Sequence, residues 1–147
     1  MPQVVPYLTV NDSKAAIEFY KAAFLAEHIG PTINGPDGSI AHTEIKIGES
    51  IVMMADANKE WGNMSPLDIG GTAVLLSIEL DDVDATVERA EAAGATILMP
   101  VADQFYGHRS GRIKDPFGHE WVVSKVIEEV SEEEMQRRAD AMFGSPE

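Results

Sequence analysis

His42 and Glu44 stand two residues apart in the segment SIAHTEIKI, residues 39–47. Side chains of a strand alternate between its faces, so the two would project together. An imidazole beside a carboxylate can serve as general base and orienter, or as two ligands of a displaced metal site. The plainer reading, and the leading one, is a histidine hydrogen-bonded within a polar cavity wall. Glu120 is the third candidate for such chemistry: in HEWVVSKV it shares one strand face with Val122 and Ser124, while Trp121 and Val123 occupy the other and read as core. His108 and His119 flank turns, where imidazole is most often exposed, and His28 opens a strand with no near partner. Arg109, Arg112 and Lys114 fall within six residues. They suit either a small anion or, more plainly, a solvated strand face.

Other chemistries lack their residues. There is no cysteine, which removes disulfides, thiolate metal sites and a thiol nucleophile. Neither Gly70-Gly71 nor the stretch from Gly107 to Gly111 has the strand-to-helix setting or the Lys-Ser/Thr ending of a phosphate-cradling loop. No serine sits in a G-x-S-x-G elbow. With 25 acidic against 11 basic residues the formal net charge is -14, which repels polyanions and makes nucleic acid and anionic membrane poor partners. No apolar stretch approaches the roughly 18 residues of a membrane helix, and a reducing cytoplasm is the expected location.

The elements that must position these residues follow from hydrophobic periodicity. Residues 4–10 (VVPYLTV) read as a strand, followed by a helix in which Ile17, Tyr20 and Phe24 recur at helical spacing. Strands are expected over about 27–33, 39–47 and 50–56. After a loop at 57–71 the order begins again: a strand at 73–80, a capped helix ended by Gly94, then strands at 95–101, 107–114 and 119–126. A further amphipathic helix is expected over 131–143, with Ser131 and Glu134 at capping-box spacing. The 147 residues therefore read as one α+β domain of two βαβββ modules, about 3–57 and 72–127, joined by a loop at about 58–71. That loop carries Trp61, either a lid residue or a subunit contact, and Tyr106 either lines the cavity entrance or packs beside Phe105.

Four fragments in order, VVPYLTVNDSKAAIEFYKAAF, AHTEIKIGESIVMMAD, DQFYGHRSGRIKDPFGHEWVVSKV and EEVSEEEMQRRA, resemble the vicinal-oxygen-chelate superfamily (the glyoxalase, bleomycin-resistance and extradiol-dioxygenase fold), in its PhnB-like branch. The resemblance implies a curved, mostly antiparallel eight-stranded sheet around a cavity. It also implies a divalent metal, held by His, Gln or Glu from the first and last strands of each module. In this chain the equivalent positions are Val5, Met53, Leu75 and Val122, none a conventional ligand. No metal or other cofactor is therefore expected, with a divalent ion on His42, Glu44 and Glu120 as the alternative.

Alternation supports that register. Leu8, Val10, Leu76 and Ile78, together with Val4, Pro6, Val74 and Leu80, form apolar rows suited to packing under helices. Val5, Tyr7, Thr9, Leu75, Ser77 and Glu79 are left for the cavity. The expected function is binding of a small, partly aromatic organic molecule, as in bleomycin-resistance proteins, by a homodimer. Tyr7, Met53, Leu75, Val122 and Trp61 would give apolar contact, with Ser77 beside them on the cavity face. His42, Glu44, Glu120 and Arg109 would orient polar groups. The competing expectation is a metal-dependent lyase or dioxygenase. Acidity and the missing cofactor motif argue against DNA-binding or methyltransferase roles.

Overall fold

The computed structural model describes residues 3–144. Its elements follow the order read from the sequence: β1 (Tyr7–Val10), α1 (Ser13–Phe24), β2 (Glu27–Asn34), β3 (Ile40–Ile47) and β4 (Ser50–Asp56), then a short α2 (Pro66–Ile69). The order repeats with β5 (Leu75–Glu79), α3 (Val83–Ala92), β6 (Thr96–Asp103), β7 (His108–Lys114) and β8 (Glu120–Val126), and closes with α4 (Glu132–Phe143). None of these helices is long and apolar enough to cross a membrane.

The strands pair as two four-stranded sheets, ordered β1-β4-β3-β2 and β5-β8-β7-β6. This corrects the expectation of one mostly antiparallel eight-stranded sheet. A strand whose chain returns to its partner after a helix and two further strands runs beside it in parallel, so β1–β4 and β5–β8 are parallel while the remaining pairs are antiparallel. Both sheets are mixed, with β1 and β2 as the edges of the first and β5 and β6 as those of the second.

One face of each sheet is buried, as the alternation required. Leu8 and Val10 of β1 are buried, as are Ile45 and Ile47 of β3, and Trp121 and Val123 of β8. The apolar rows begin later than expected: Val4 and Val74 precede their strands and are 87% and 61% exposed. Helix α1 starts where Asp12 accepts the Ala15 N–H at 3.1 Å, and ends at Leu25 in the left-handed region (φ 57°). It lays Phe19, Tyr20 and Phe24 against Phe117 and Trp121 of the second module, with ring centroids 5.0 to 6.3 Å apart.

Asp115 sits in this apolar junction, 3% exposed. A buried carboxylate is costly unless its lone pairs are filled. Here Oδ2 accepts from the Tyr20 hydroxyl and from Trp121 Nε1 at 2.9 Å, while Oδ1 accepts the backbone N–H groups of Phe117 (2.9 Å) and His119 (3.0 Å). One carboxylate thus binds α1 to β8 and shapes the Asp115–Gly118 turn. Burial, reinforced by the Asp115 charge, raises the Tyr20 phenol well above its ordinary range, so it is a permanent donor.

Two histidines depart from their expected surroundings. His119 donates Nε2 to the Thr9 carbonyl at 2.9 Å, a tether between modules across 110 residues of chain. His28 has partners after all: its Nε2 lies 2.9 Å from Thr32 Oγ1 and 3.0 Å from Thr43 Oγ1. The 57–71 loop also holds more structure than its composition announces. Ser65 and Asp68 form a reciprocal capping box for α2, and Pro66 is buried so close to the Asp115–Gly118 turn that a Cβ on Gly118 would lie 2.7 Å from its own Cβ.

Candidate functional site

The exposed face of the first sheet brings Tyr7, His42 and Glu44 together. Cross-strand register places Met53 of β4 opposite Tyr7 on one side and Glu44 on the other, so the residues form a row across β1, β4 and β3. The Tyr7 hydroxyl lies 2.8 Å from His42 Nδ1, and His42 Nε2 lies 2.7 Å from Glu44 Oε2. An ionised carboxylate only accepts, so Nε2 carries a proton toward Glu44, and in the neutral ring the Nδ1 lone pair then receives the Tyr7 O–H. Both imidazole nitrogens are committed. His42 and Glu44 are three-quarters shielded from solvent, whereas Tyr7 is 52% exposed and presents the chain of hydrogen bonds outward.

Beside this row opens a cavity of about 520 Å³, with Tyr7, Ala55 and Trp61 among its walls. Its charged walls, Asp37, Asp56 and Glu60, are all acidic. Asp56 is occupied by the fold, accepting the N–H of Ser13 at 2.8 Å and of Ile40 at 2.9 Å. Trp61 is 69% exposed and offers a bare indole face at the rim.

The other expected residues gather on the second sheet. Leu75 lies opposite Glu120, and Ser77 opposite Val122, across the parallel β5–β8 ladder. Arg109 does not join either group. It shares its strand face with Gly111 and Ile113, toward α3, where its guanidinium holds Asp84 through two bonds of 2.8 Å and Asp103 through a third of 2.8 Å. Sequence reasoning missed the part of Tyr7 in the chain with His42, because their contact depends on β4 inserting between β1 and β3. It also grouped Arg112 with Arg109, although an odd separation sends them to opposite faces.

For a divalent metal the donor set is thin. Val5, Met53, Leu75 and Val122 offer no conventional ligand, and among the described residues no group of three or more His, Cys, Asp or Glu side chains is placed to hold an ion. His42 and Glu44 supply two donor side chains whose facing atoms already bond each other. Among the described residues of one chain, these two donors fall short of a three-ligand site.

Comparison with known proteins gives a family match. Residues 2–123 match the model of the Glyoxalase/Bleomycin resistance protein/Dioxygenase superfamily. The chain is 38% identical over 138 residues to Uncharacterized protein Rv0887c of Mycobacterium tuberculosis, covering 92% of this chain and 81% of that one. Among solved structures it is similar to TioX from Micromonospora sp. ML1, with TM-score 0.64 and 24% identity over 88% of this chain and 100% of that one. A PhnB protein from Bacillus cereus gives TM-score 0.62 at 18% identity over 85% of this chain and 100% of that one. At these identities the structural likenesses speak to fold.

Proposed function

The chain belongs to the glyoxalase/bleomycin resistance protein/dioxygenase superfamily, and from that premise we propose that it is a small-molecule-binding member acting without a divalent metal. In this reading it takes a small, partly aromatic organic molecule, in the manner of bleomycin-resistance proteins, as a cytoplasmic homodimer of the PhnB-like branch. The observation that carries the reading is the commitment of His42: one ring nitrogen faces the Tyr7 hydroxyl at hydrogen-bond distance and the other donates to Glu44. A metal ligand must offer an imidazole lone pair, which here means giving up one of these bonds. The same bonds fix Tyr7 as an oriented hydroxyl beside a cavity walled by Trp61, the arrangement of a few placed polar groups among apolar surfaces that ligand sites use.

The acidic walls around Tyr7 favour a neutral or cationic molecule over an anion. Reconstitution with zinc, nickel, manganese and iron(II), followed by calorimetry, tests the reading. The expected result is no site approaching one ion per chain. A one-to-one site lost in His42→Ala would instead place a metal-dependent lyase or dioxygenase first, with His42, Glu44 and Glu120 as the displaced ligand set.

A further inference from the structure

We propose that a second pocket, on the second sheet beneath the end of α4, binds a small aromatic monoanion through Arg112. This pocket shares no lining residue with the cavity beside Tyr7, and the proposal does not rest on the reading of that cavity. It encloses about 270 Å³ between β6, β7, β8 and α4, with Phe105, Tyr106, Val122 and Phe143 among its walls. That is near the lower end of ligand cavities and suits one or two rings.

Arg112 is the exception among the arginines. Arg109, Arg137 and Arg138 each hold a carboxylate, and Arg89 bonds the Ala23 carbonyl and Thr86 Oγ1. Arg112 enters none of the ion pairs among the described residues, and its Nε is buried without a hydrogen-bond partner. Among the described residues this guanidinium is left without a carboxylate, although acidic residues outnumber basic ones by 25 to 11 in the sequence. Arg112 is only partly exposed, and a partly desolvated guanidinium with an unfilled Nε donor gains from an anion beside it. Its planar fork matches a carboxylate through paired bonds.

The walls define the rest of the molecule. Phe105 and Phe143 meet edge to face at 5.8 Å, and Phe143 and Met142 remain 74% and 63% exposed, apolar surface that the fold itself does not use. The Tyr106 hydroxyl and Ser110 Oγ, 3.4 Å apart, are further donors on the floor. One cation inside a protein of net charge -14 selects a single negative charge over a doubly charged phosphate. The class is therefore an aromatic carboxylate.

Calorimetric titration of the full-length protein with 2-naphthoate and with its neutral isostere 2-naphthamide tests this. Wild type is expected to bind the acid roughly tenfold or more tightly than the amide. Arg112→Met should level the two, and Arg112→Lys should keep part of the preference. Phe143→Ala, at an exposed helix end, should weaken both probes severalfold. Equal affinities in wild type, no measurable naphthoate binding, or a preference that survives Arg112→Met overturns the proposal. Should Arg112→Met fail to fold, unchanged naphthoate affinity in Phe143→Ala overturns it equally.

Discussion

The Tyr7 hydroxyl stands 2.8 Å from His42 Nδ1, although 35 residues separate them in the chain. The contact spans β4, which lies between their strands, and together with the Glu44 bond it selects the tautomer of the neutral imidazole. Nitrogen-15 spectra of the neutral ring should show His42 as a single tautomer with its proton on Nε2. Tyr7→Phe should leave that proton in place, because Glu44 still holds it, while Nδ1 shifts to the position of a nitrogen without a donor. A wild-type proton on Nδ1 would contradict the arrangement.

Asp115 receives four donors in the core. Asp115→Ala strands the Tyr20 hydroxyl and the Trp121 indole N–H in apolar surroundings, and should cost about 3 to 5 kcal/mol in urea denaturation. Asp115→Asn keeps one oxygen but turns the other acceptor into a donor, and should cost about 1 to 3 kcal/mol. A loss below roughly 0.5 kcal/mol in Asp115→Ala would mean these donors find other partners.

Tyr20 gives the alkaline limit. Its folded pKa is raised, so the stability it contributes is complete below the unfolded value of about 10 and is lost as pH rises beyond it. The Tyr20 phenolate should appear only together with unfolding. A phenolate signal from Tyr20 within a folded protein contradicts its burial beside Asp115.

Helix α4 gives the acid limit. Arg137 and Arg138 bond Glu134 and hold its carboxyl down at about 2, against an ordinary 4.5. A depressed pKa contributes above the unfolded value and is lost as pH falls toward the folded one. The first turns of α4 should therefore loosen between about pH 4.5 and 2, read as faster amide exchange, and Glu134→Gln should remove that pH dependence. Salt should mask the effect because these groups are exposed.

The inter-module loop is fastened where Pro66 meets Gly118. Gly118 adopts φ +93° with Pro66 against it, so Gly118→Ala combines strain with a clash and should destabilise by about 1 to 3 kcal/mol. A neutral effect would show that α2 lifts freely.

Much of this was legible in the sequence, and the limits have physical causes. Alternation located Leu8, Val10, Trp121 and Val123 in the core because one buried face imposes a period of two. The same period put His42 and Glu44 on one face, where they bond. It did not reveal that Tyr7 completes the chain, since cross-strand neighbours depend on strand order. Asp115 lies between the strands expected over 107–114 and 119–126, and its part in the core was not legible: its partner Tyr20 lies 95 residues away, and no local pattern encodes that. Helix α2 escaped notice because its four residues carry no periodicity, although the Ser65-x-x-Asp68 cap was readable. The expectation of one eight-stranded sheet came from resemblance; the pairing of β1 with β4 and β5 with β8 gives two sheets of four.

Metal content tests the central claim most directly. Protein purified without chelator and without a nickel column should carry far less than one zinc, nickel, manganese or iron per chain by elemental analysis, and His42→Ala should leave that content unchanged. One ion per chain that disappears in His42→Ala would contradict the account, for it would require a free imidazole lone pair where the structure places the Tyr7 hydroxyl.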